Sequence, residues 1–401
     1  MTDRLAPGAR LFFLEDSAVL FSEPRQELHE FNTMAAVIWC HLEDGKDRPA
    51  IAAELVSRLG VSVPDAARFV DQALDTWKLQ GLLTDQPGPG HAASPQPRQP
   101  LGAIPKFGTP VFATERRYRL LSIGFRLRCT TTSDDALLAP MLGHLESTET
   151  PVTSFDVVRR DGAIAIYRDG RPLALCRTTE ELVPVLHGLV WLEIADQHGF
   201  FLQLHAGVVA GGPRHAERAC ILLPARPGSG KTTLTAALVH AGWHYLSDEV
   251  AFMDAQTMRV APVPIAFCLK RSGVAPVAEF WPAARDLQFH LRSDGKEVAY
   301  LPPPVERVVA PDARMDVRAI VFPRYRKDHV LAWHGLSRPD ALRRLIDECV
   351  AISGRLSVAR VQALVNWIAN VTCYELTYGS TADAVSTIGK VFGDPRGMTV
   401  P

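Results

Sequence analysis

A glycine-rich segment in the middle of the chain, residues 224–233, has the residue types that bind a nucleotide phosphate. It follows an apolar run at 219–223 and consists of Pro-Ala-Arg-Pro-Gly-Ser-Gly-Lys-Thr-Thr. Glycines let the backbone curl so that successive N–H groups point into one concavity, at the positive end of the next helix. The lysine of such a loop reaches the β- and γ-phosphates, and the hydroxyl after it binds magnesium. The pattern predicts a site for ATP and Mg²⁺ built from Pro227, Gly228, Ser229, Gly230, Lys231, Thr232 and Thr233.

The segment departs from the pattern G-x-x-x-x-G-K-[ST] at its first glycine, which is Ala225 here. Alanine tolerates a tight turn less well than glycine, so the match is not strict. The alternative is an ordinary glycine-rich turn before a helix. At ~7% glycine, a chance G-x-G-K-[ST] is expected in roughly one such chain per hundred. The apolar run before the loop and the helical pattern after it make chance rarer still and favour a phosphate-binding loop.

A second predicted strand at 244–246 ends in Ser247 and two acids, Asp248 and Glu249. In a parallel α/β sheet, ligands bind at the carboxyl ends of the strands, so we expect these acids beside the phosphate loop. One carboxylate can hold magnesium, and the other can accept a proton from an attacking hydroxyl. His205 stands at the mouth of another apolar run. A neutral imidazole near an acid is a common proton partner, although a structural role for this histidine is equally compatible with the sequence.

Composition and charge exclude several classes of protein. The 401 residues carry a formal net charge of −1, which gives no electrostatic footprint for nucleic acid or an anionic membrane. The seven cysteines are spaced singly, as is typical of reduced thiols rather than disulfides or a zinc site. The amino terminus lacks the layout of a signal peptide, and no apolar run approaches the ~18 residues of a membrane helix. We therefore expect a cytoplasmic protein with no nucleic-acid or membrane partner.

The chain divides into four segments. Residues 86–105 contain six prolines and three glycines, and such a segment is expected to be a semi-extended linker. Residues 1–85 before it show two short strands and three helices, the outline of a small winged-helix-like α+β domain. Residues 106–200 mix strands with a helix. Residues 201–395 contain the phosphate loop and end in amphipathic helices at 339–352, 358–371 and 382–392. The predicted fold of residues 106–395 is an α/β P-loop kinase domain with a mostly parallel sheet.

Residues 105–395 resemble the HPr kinase/phosphorylase superfamily, most closely its HPr-related kinases. The resemblance is carried by Leu204-His205-Ala206-Gly207, by the loop Gly228-Ser229-Gly230-Lys231-Thr232-Thr233-Leu234, by Gly242-Trp243-His244-Tyr245-Leu246-Ser247-Asp248-Glu249, by Leu269-Lys270, by three prolines at 302–304 and by Phe322-Pro323-Arg324-Tyr325. It implies an HPr kinase-like fold and transfer of phosphate from ATP to a serine or threonine hydroxyl.

The same resemblance implies roles for individual residues. Asp248 matches the acid that activates the substrate hydroxyl, and His205 matches the histidine that assists it. The family's usual acid pair is Asp-Asp, and Glu249 takes the second, metal-binding position here. Lys270 would be a second cation that faces the phosphates, unless it is a surface lysine. Arg324 and Arg326 are candidates for stabilising the transferred charge, with ordinary surface arginines as the alternative.

The amino-terminal segment resembles the PqqD-like peptide chaperones, also called RiPP recognition elements. The matching residues are Leu28-His29-Glu30-Phe31-Asn32-Thr33-Met34-Ala35-Ala36-Val37-Ile38-Trp39 and Trp77-Lys78-Leu79-Gln80-Gly81-Leu82-Leu83. Such modules capture the leader of a precursor peptide as an added strand. Residues 1–85 carry 8 Lys/Arg and 14 Asp/Glu, a net charge of −6, which argues against a DNA-binding winged helix. A dimerisation domain without a ligand, and hence a homo-oligomer, is the remaining alternative.

Taken together, the motifs predict a peptide serine/threonine kinase whose amino-terminal domain recruits a ribosomally made precursor peptide. Two other functions are compatible with the sequence. One is a kinase for a small molecule or nucleotide, and the other is an ATP-binding chaperone that transfers nothing. Asp248 distinguishes transfer from binding, because transfer to a hydroxyl requires a positioned acid whereas nucleotide binding requires only the loop.

Overall fold

The structure is a computed structural model, and it describes residues 4–15, 17–84, 110–211, 219–347, 349–352 and 356–393. The predicted linker at 86–105 lies outside the described residues. The chain forms two compact units. Unit 1 holds the described residues of 1–97, 336–347 and 354–372, and unit 2 holds those of 98–335, 348–353 and 373–401.

The elements are numbered in chain order. The strands are β1 (Arg4–Leu5), β2 (Ala9–Leu14), β3 (Ser17–Ser22), β4 (Glu27–Phe31), β5 (Leu83–Thr84), β6 (Thr114–Leu120), β7 (Ile123–Cys129), β8 (Thr153–Arg160), β9 (Ala163–Arg168), β10 (Arg171–Cys176), β11 (Leu202–Leu204), β12 (Ala206–Ala210), β13 (Ala219–Pro224), β14 (His244–Ser247), β15 (Ala251–Met253), β16 (Val260–Ala261), β17 (Phe267–Lys270), β18 (His290–Leu291), β19 (Glu297–Leu301), β20 (Asp316–Tyr325), β21 (Ala332–Gly335), β22 (Cys349–Ile352) and β23 (Thr372–Tyr378). The helices are α1 (Thr33–Glu43), α2 (Arg48–Leu59), α3 (Val63–Leu79), α4 (Thr132–Leu142), α5 (Leu182–His198), α6 (Lys231–His240), α7 (Arg271–Ala278), α8 (Arg338–Asp347), α9 (Val358–Ile368) and α10 (Thr381–Phe392). None of the described helices is long and apolar enough to cross a membrane.

Unit 1 is built on the antiparallel sheet β2-β3-β4, with α1, α2 and α3 packed on one of its faces. Side chains cap each of these helices, because Asn32, Asp47 and Ser62 accept hydrogen bonds from backbone N–H groups of the first turns. The core of this face contains stacked and edge-on rings of Phe31, Trp39 and Trp77. This arrangement matches the predicted strands and three helices, with β4 as a strand that the sequence pattern did not reveal.

The opposite face of the same sheet is covered by α8 and α9, which come from the carboxyl-terminal part of the chain. Along β2 and β3, Phe12 lies opposite Val19, and both are buried on the face away from α1–α3. Helix α8 contacts β3, and α9 contacts β2. The assignment of these helices to a kinase segment at 201–395 is therefore corrected. Their amphipathic pattern required a partner surface but could not show which surface it was.

Polar contacts fix α8 and α9 at their first residues. Glu15, in the turn between β2 and β3, accepts hydrogen bonds from the backbone N–H and the guanidinium of Arg338. Gln26, in the turn between β3 and β4, donates to the Leu356 carbonyl oxygen (2.9 Å) and accepts from the Leu356 N–H (2.7 Å). Glu23 accepts from the Val358 N–H at 3.1 Å. The helix predicted at 339–352 is shorter than expected, because Cys349–Ile352 forms β22 instead.

Unit 2 begins with the sheet β10-β9-β8-β7-β6, in which only the β7–β8 pair is parallel. Helices α4 and α5 share one apolar core with this sheet. Further along the chain are the small sheets β16-β15-β11-β22 and β17-β19-β18.

The six-stranded sheet β14-β12-β13-β20-β23-β21 carries the phosphate loop. The prediction of a mostly parallel sheet is wrong. Strand β12 is antiparallel to both of its neighbours, β21 is antiparallel to β23, and β13 is parallel to β20. A fully apolar run such as 219–223 indicates a strand buried on both faces, which central antiparallel strands can be as well as parallel ones.

Candidate functional site

The arrangement of β12, β13 and β14 brings three separate chain segments to one edge of the sheet. Because β12 is antiparallel to both β13 and β14, these two run in the same direction and their carboxyl ends meet at that edge. The start of β12 lies there too, since Ala206 is opposite Pro224. His205, the phosphate loop and the acid pair therefore share one edge, as the sequence predicted, although the strand between them runs the other way.

The loop has the backbone geometry that its glycines allow. Gly228 has φ +92° and Gly230 has φ +85°, values that L-residues rarely adopt. A Cβ on Gly230 would also lie 2.7 Å from the Tyr378 hydroxyl and 2.8 Å from the Tyr325 Cβ, so no side chain fits there. Ala225 is not among the described residues with positive φ. Alanine at the first loop position therefore causes no backbone strain.

Two tyrosines support the loop from the neighbouring strands. Tyr325 belongs to a segment that carries the kinase resemblance, whereas no motif singled out Tyr378. The Tyr378 hydroxyl, at the end of β23, donates to the Gly230 carbonyl oxygen at 3.3 Å. The backbone N–H of Tyr325, at the end of β20, donates to the Ser229 carbonyl oxygen at 3.0 Å. The two rings contact edge to face, with centroids 5.7 Å apart. Strands on the other side of β13 thus hold the loop in its turn.

The side chain of Lys231 connects the loop to the two acids that follow β14. Its side chain is 7% exposed, and its ammonium group donates to the backbone carbonyl oxygen of Asp248. Burial lowers the pKa of Lys231, while the carboxylates of Asp248 and Glu249 act in the opposite direction. Lys231 thus lies between the loop and both acids, which is where a cation for the β- and γ-phosphates is required.

Asp248 is enclosed and contacts the residue that the loop pattern assigns to magnesium. It is 3% exposed, and its Oδ1 accepts from the Tyr245 hydroxyl at 3.3 Å. Burial raises the pKa of Asp248, and Lys231 and a hydrogen bond from the Thr232 side chain oppose the rise. Among the described residues, its buried Oδ2 has no hydrogen-bond partner. A carboxylate next to the loop hydroxyl, with one oxygen unsatisfied, is suited to a cation.

Glu249 is more accessible than Asp248 and is surrounded by cationic groups. Its side chain is 33% exposed, its Oε2 lies 3.4 Å from His187 Nε2, and its Oε1 lies 3.9 Å from an Arg292 guanidinium nitrogen. Burial by itself raises the pKa of Glu249, but His187, Lys231 and Arg292 together lower it below its ordinary value. Glu249 is therefore ionised at neutral pH. No sequence motif indicated His187 or Arg292, because they are contributed by α5 and by the β18–β19 turn.

His205 is a neutral imidazole at neutral pH. Its Nδ1 lies 3.0 Å from the Ala225 carbonyl oxygen, so Nδ1 carries the proton and donates, and Nε2 keeps its lone pair. Burial, followed by the charge of Lys231, lowers the pKa of His205 to about 4. The geometry therefore gives this histidine a fixed tautomer beside the loop.

The depressed pKa of His205 predicts sensitivity to acid. The folded protein keeps His205 neutral down to a pKa of about 4, whereas the unfolded chain protonates it near 6.5. The unfolded state thus binds more protons in this window, and stability falls as the pH decreases through it. We expect His205→Asn, whose amide nitrogen takes the place of Nδ1 and can still donate to the Ala225 carbonyl oxygen, to reduce the drop in Tm between pH 7 and pH 5. An unchanged drop in this thermal measurement would contradict the assignment.

The other predicted cations differ in their placement. Lys270, at the end of β17, lies close enough to His205 and Lys231 to lower the pKa of both. Its role as a second cation that faces the phosphates stays a prediction. Arg324 and Arg326 flank Tyr325 and are exposed. Pro227 and Gly228 are also exposed, at the tip of the loop.

The donor set fits a magnesium ion that is bound mainly through nucleotide phosphates. Among the described residues, no group of three or more His, Cys, Asp or Glu side chains is arranged to hold a metal. Magnesium typically binds to one or two carboxylates together with substrate phosphates. The Oδ2 of Asp248, which has no hydrogen-bond partner among the described residues, supplies an oxygen of that kind.

In unit 1, the candidate site is the outer edge of β4. This strand is the last in the order β2-β3-β4, so its backbone groups on that side have no strand partner within this sheet. Its residues Glu27 and Glu30 are exposed, and Leu28 and His29 are half-buried. An edge of this kind is a template for an added strand.

Comparison with known proteins identifies the amino-terminal domain. Residues 17–83 match the family model described as coenzyme PQQ synthesis protein D (PqqD). The match covers β3, β4 and α1–α3, and it confirms the predicted PqqD-like domain. No curated protein matches the chain.

Two solved structures that resemble the chain are both described as complexes with leader peptides. One, "TbiB1 in Complex with the TbiA(beta) Leader Peptide", has 19% identity and a TM-score of 0.20, and the alignment covers 21% of this chain and 99% of that chain. The other, "Lasso peptide synthetase B1 complexed with the leader peptide", has 26% identity and a TM-score of 0.20, with the same coverage of 21% and 99%.

Proposed function

We propose that this protein is an ATP-dependent kinase that phosphorylates a serine or threonine hydroxyl of a ribosomally made precursor peptide. The observation that carries the proposal is the convergence of Lys231, Thr232, Asp248 and Glu249 at one edge of the sheet. A site that only bound nucleotide would need the loop, whereas this edge also supplies two acids of different accessibility. The resemblance to HPr-related kinases supports the same reaction.

In the proposed site, the loop binds the phosphates through its backbone N–H groups and Lys231. Bound magnesium would be held by Thr232 and Asp248, and it would neutralise charge on the β- and γ-phosphates. Lys270 adds positive charge on the β17 side of the loop. The fixed backbone geometry at Gly228 and Gly230 means that these donors need little rearrangement when the nucleotide binds.

The two acids have different roles in this proposal. The resemblance assigns the proton acceptor to Asp248. Its burial and its contact with Thr232 favour a place at the metal, so we assign proton acceptance from the substrate hydroxyl to Glu249. Glu249 is ionised and is one-third exposed, which allows a peptide hydroxyl to approach it. His205 has a free lone pair on Nε2, so it can accept a proton from the substrate or from a bound water.

The PqqD-like domain is proposed to recruit the substrate. The leader of the precursor would add to the outer edge of β4, where backbone hydrogen bonds supply affinity and the flanking side chains supply specificity. The Pro/Gly-rich composition of residues 86–105 would then let the bound peptide search for the active site at a raised effective concentration. A kinase for a free small molecule would not need this domain for its turnover.

The test uses the full chain, Mg-ATP and the short peptide encoded beside its gene, with intact mass as the readout. We expect a gain of one phosphoryl group on the peptide and slower hydrogen exchange of the β4 amides in its presence.

Lys231→Ala should abolish transfer and weaken ATP binding, because it removes the charge that contacts the β- and γ-phosphates. Lys390→Ala is the matched control, since that lysine is exposed on α10 and the proposed site does not include it. Transfer by Lys231→Ala at the wild-type rate would contradict the phosphate-loop assignment, and a folded wild type that binds ATP but leaves the peptide unmodified would favour a different substrate or a chaperone.

A further inference from the structure

The turn that connects β18 to β19 carries an arginine, Arg292, that no sequence motif singled out. The Arg292 N–H donates to the Lys296 carbonyl oxygen at 2.9 Å, and the Gly295 N–H donates back to the Arg292 carbonyl oxygen at 2.9 Å. These two backbone hydrogen bonds close the turn, and Gly295 adopts φ +78° within it. The position of the arginine backbone is thus determined by the hairpin rather than by the phosphate loop.

The side chain of Arg292 reaches the acid pair. One terminal guanidinium nitrogen of Arg292 lies 3.9 Å from Glu249 Oε1, and the Nε of Arg292 lies 3.5 Å from Asp294 Oδ1. Both contacts are ion pairs, and no hydrogen bond from this guanidinium appears among the described residues. The side chain is 38% exposed. Arg292 is therefore oriented by two acids while its N–H donors stay available to a ligand.

The charges at the site show what kind of ligand these donors suit. Lys231 and Arg292 both lie close enough to Glu249 to lower its pKa, and Lys270 lies close enough to Lys231 to lower the pKa of that lysine. An arginine guanidinium presents planar N–H donors that match phosphoryl oxygens in pairs. In phosphoryl transfer, negative charge is spread over the equatorial oxygens of the transferred group, and an arginine that contacts this group stabilises that charge. A lysine on the loop and an arginine across the acid pair would contact the group from two sides.

We propose that Arg292 is a catalytic residue that contacts the transferred γ-phosphoryl group of ATP in the transition state. The bond that breaks joins the γ-phosphorus to the β–γ bridging oxygen, and the bond that forms joins this phosphorus to the substrate hydroxyl oxygen. The hydroxyl proton passes to the Glu249 carboxylate, and ADP leaves with the bridging oxygen. Arg292 donates hydrogen bonds to the equatorial oxygens and is unchanged at the end. This inference rests on the proposed kinase function and adds a residue to it.

The test compares Arg292→Ala with Arg271→Ala in the full chain. Arg271 is a matched control, because it pairs with Glu297 of the same hairpin at 2.6 and 2.7 Å and lies on the surface. The probe is MgADP, with and without aluminium fluoride, which mimics the transferred phosphoryl group; binding is measured by calorimetry. We expect aluminium fluoride to tighten MgADP binding about 10-fold or more, both in the wild type and in Arg271→Ala. In Arg292→Ala we expect MgADP binding within about 3-fold of the wild type and no tightening by aluminium fluoride.

Turnover on the peptide should fall about 10²-fold or more in Arg292→Ala, since arginines in this role contribute ~10³–10⁵ in kcat. Arg292→Lys should recover only part of the loss, because it keeps the charge but not the paired donors. If Arg292→Ala loses turnover but keeps the response to aluminium fluoride, the residue only orients Glu249 and the inference is overturned. Turnover within about 3-fold of the wild type would overturn it as well. A wild type that binds neither MgADP nor Mg-ATP would instead refute the proposed function itself.

Discussion

Glu249→Gln is expected to lower turnover on the peptide by about 10²-fold or more while Mg-ATP affinity stays within a few fold of the wild type. The amide keeps the shape of the side chain, but it cannot accept a proton from the substrate hydroxyl. The loop contacts to the phosphates do not involve this side chain, so binding of the nucleotide is retained. An interaction that matters only in the transition state lowers kcat and kcat/KM together.

Asp248→Asn is the matched comparison, with the same change of chemistry one residue earlier. Asp248 is buried against Thr232, so its replacement should act on magnesium-linked binding. We expect the difference in ATP affinity between magnesium and EDTA buffers to shrink, in addition to a loss of turnover. Titration calorimetry in both buffers, combined with initial rates, separates the two effects.

The pair of variants distinguishes the structural assignment from the family resemblance. If Asp248→Asn loses turnover with its magnesium-linked binding intact, and Glu249→Gln stays active, then Asp248 is the proton acceptor as the resemblance implies. If both variants keep wild-type turnover, neither acid takes the proton and a non-transferring role gains support.

The site was predictable from sequence to the extent that its residues are encoded in short continuous segments. The loop residues, Asp248 and His205 each lie next to an apolar strand, and strand ends collect at sheet edges. His187, Arg292 and Tyr378 could not be found in this way, because each reaches the site from a distant element. Nothing in the local pattern around Arg292 separates it from other exposed arginines.

The fold was predictable where burial leaves a periodic pattern. Helices α1 to α3 follow such patterns, whereas β4 was missed because Glu27, His29 and Glu30 give this edge strand a polar sequence. The direction of β12 could not be inferred, since a strand buried on both faces reads the same in either direction. The partner of α8 and α9 lies more than 300 residues away in the chain, as in the contact between Gln26 and Leu356. Side-chain spacing within a helix carries no information about such a partner.

Deletion of residues 1–85 is expected to disrupt the protein rather than to leave an intact catalytic domain. The composition of residues 86–105 suggests a clean boundary, but α8 and α9 pack on the sheet of unit 1. Their buried side chains would lose that cover in the truncated chain; they include Leu342, Leu345, Leu364, Val365 and Ile368. Each such side chain contributes ~1.5–3 kcal/mol when fully buried. The free energy lost when several of these side chains become partly exposed is comparable with the whole free energy of unfolding of a protein, about 5–15 kcal/mol.

The converse fragment, residues 1–85 alone, would expose the other side of the same interface. Phe12, Val19 and Phe21 are buried in the full chain, and Phe12 and Val19 lie on the face away from α1–α3. We expect this fragment to associate with itself or to bind the leader more weakly than the full chain does. Fragment experiments on leader binding therefore require residues 336–372 as well.

The measurement is size-exclusion chromatography with hydrogen exchange across α8 and α9, in the full chain and in the truncated chain. We expect aggregation of the truncated chain, or rapid exchange of both helices if it stays monomeric. A variant with Gln26→Ala separates loss of packing from loss of the polar contacts, because it removes the two hydrogen bonds to Leu356 and the one to the Glu23 carbonyl oxygen. Its Tm should fall by a few degrees, in line with three lost hydrogen bonds of ~1 kcal/mol each. A truncated chain that is monomeric, protects both helices as the full chain does and binds ATP equally well would show that residues 1–85 are separable after all.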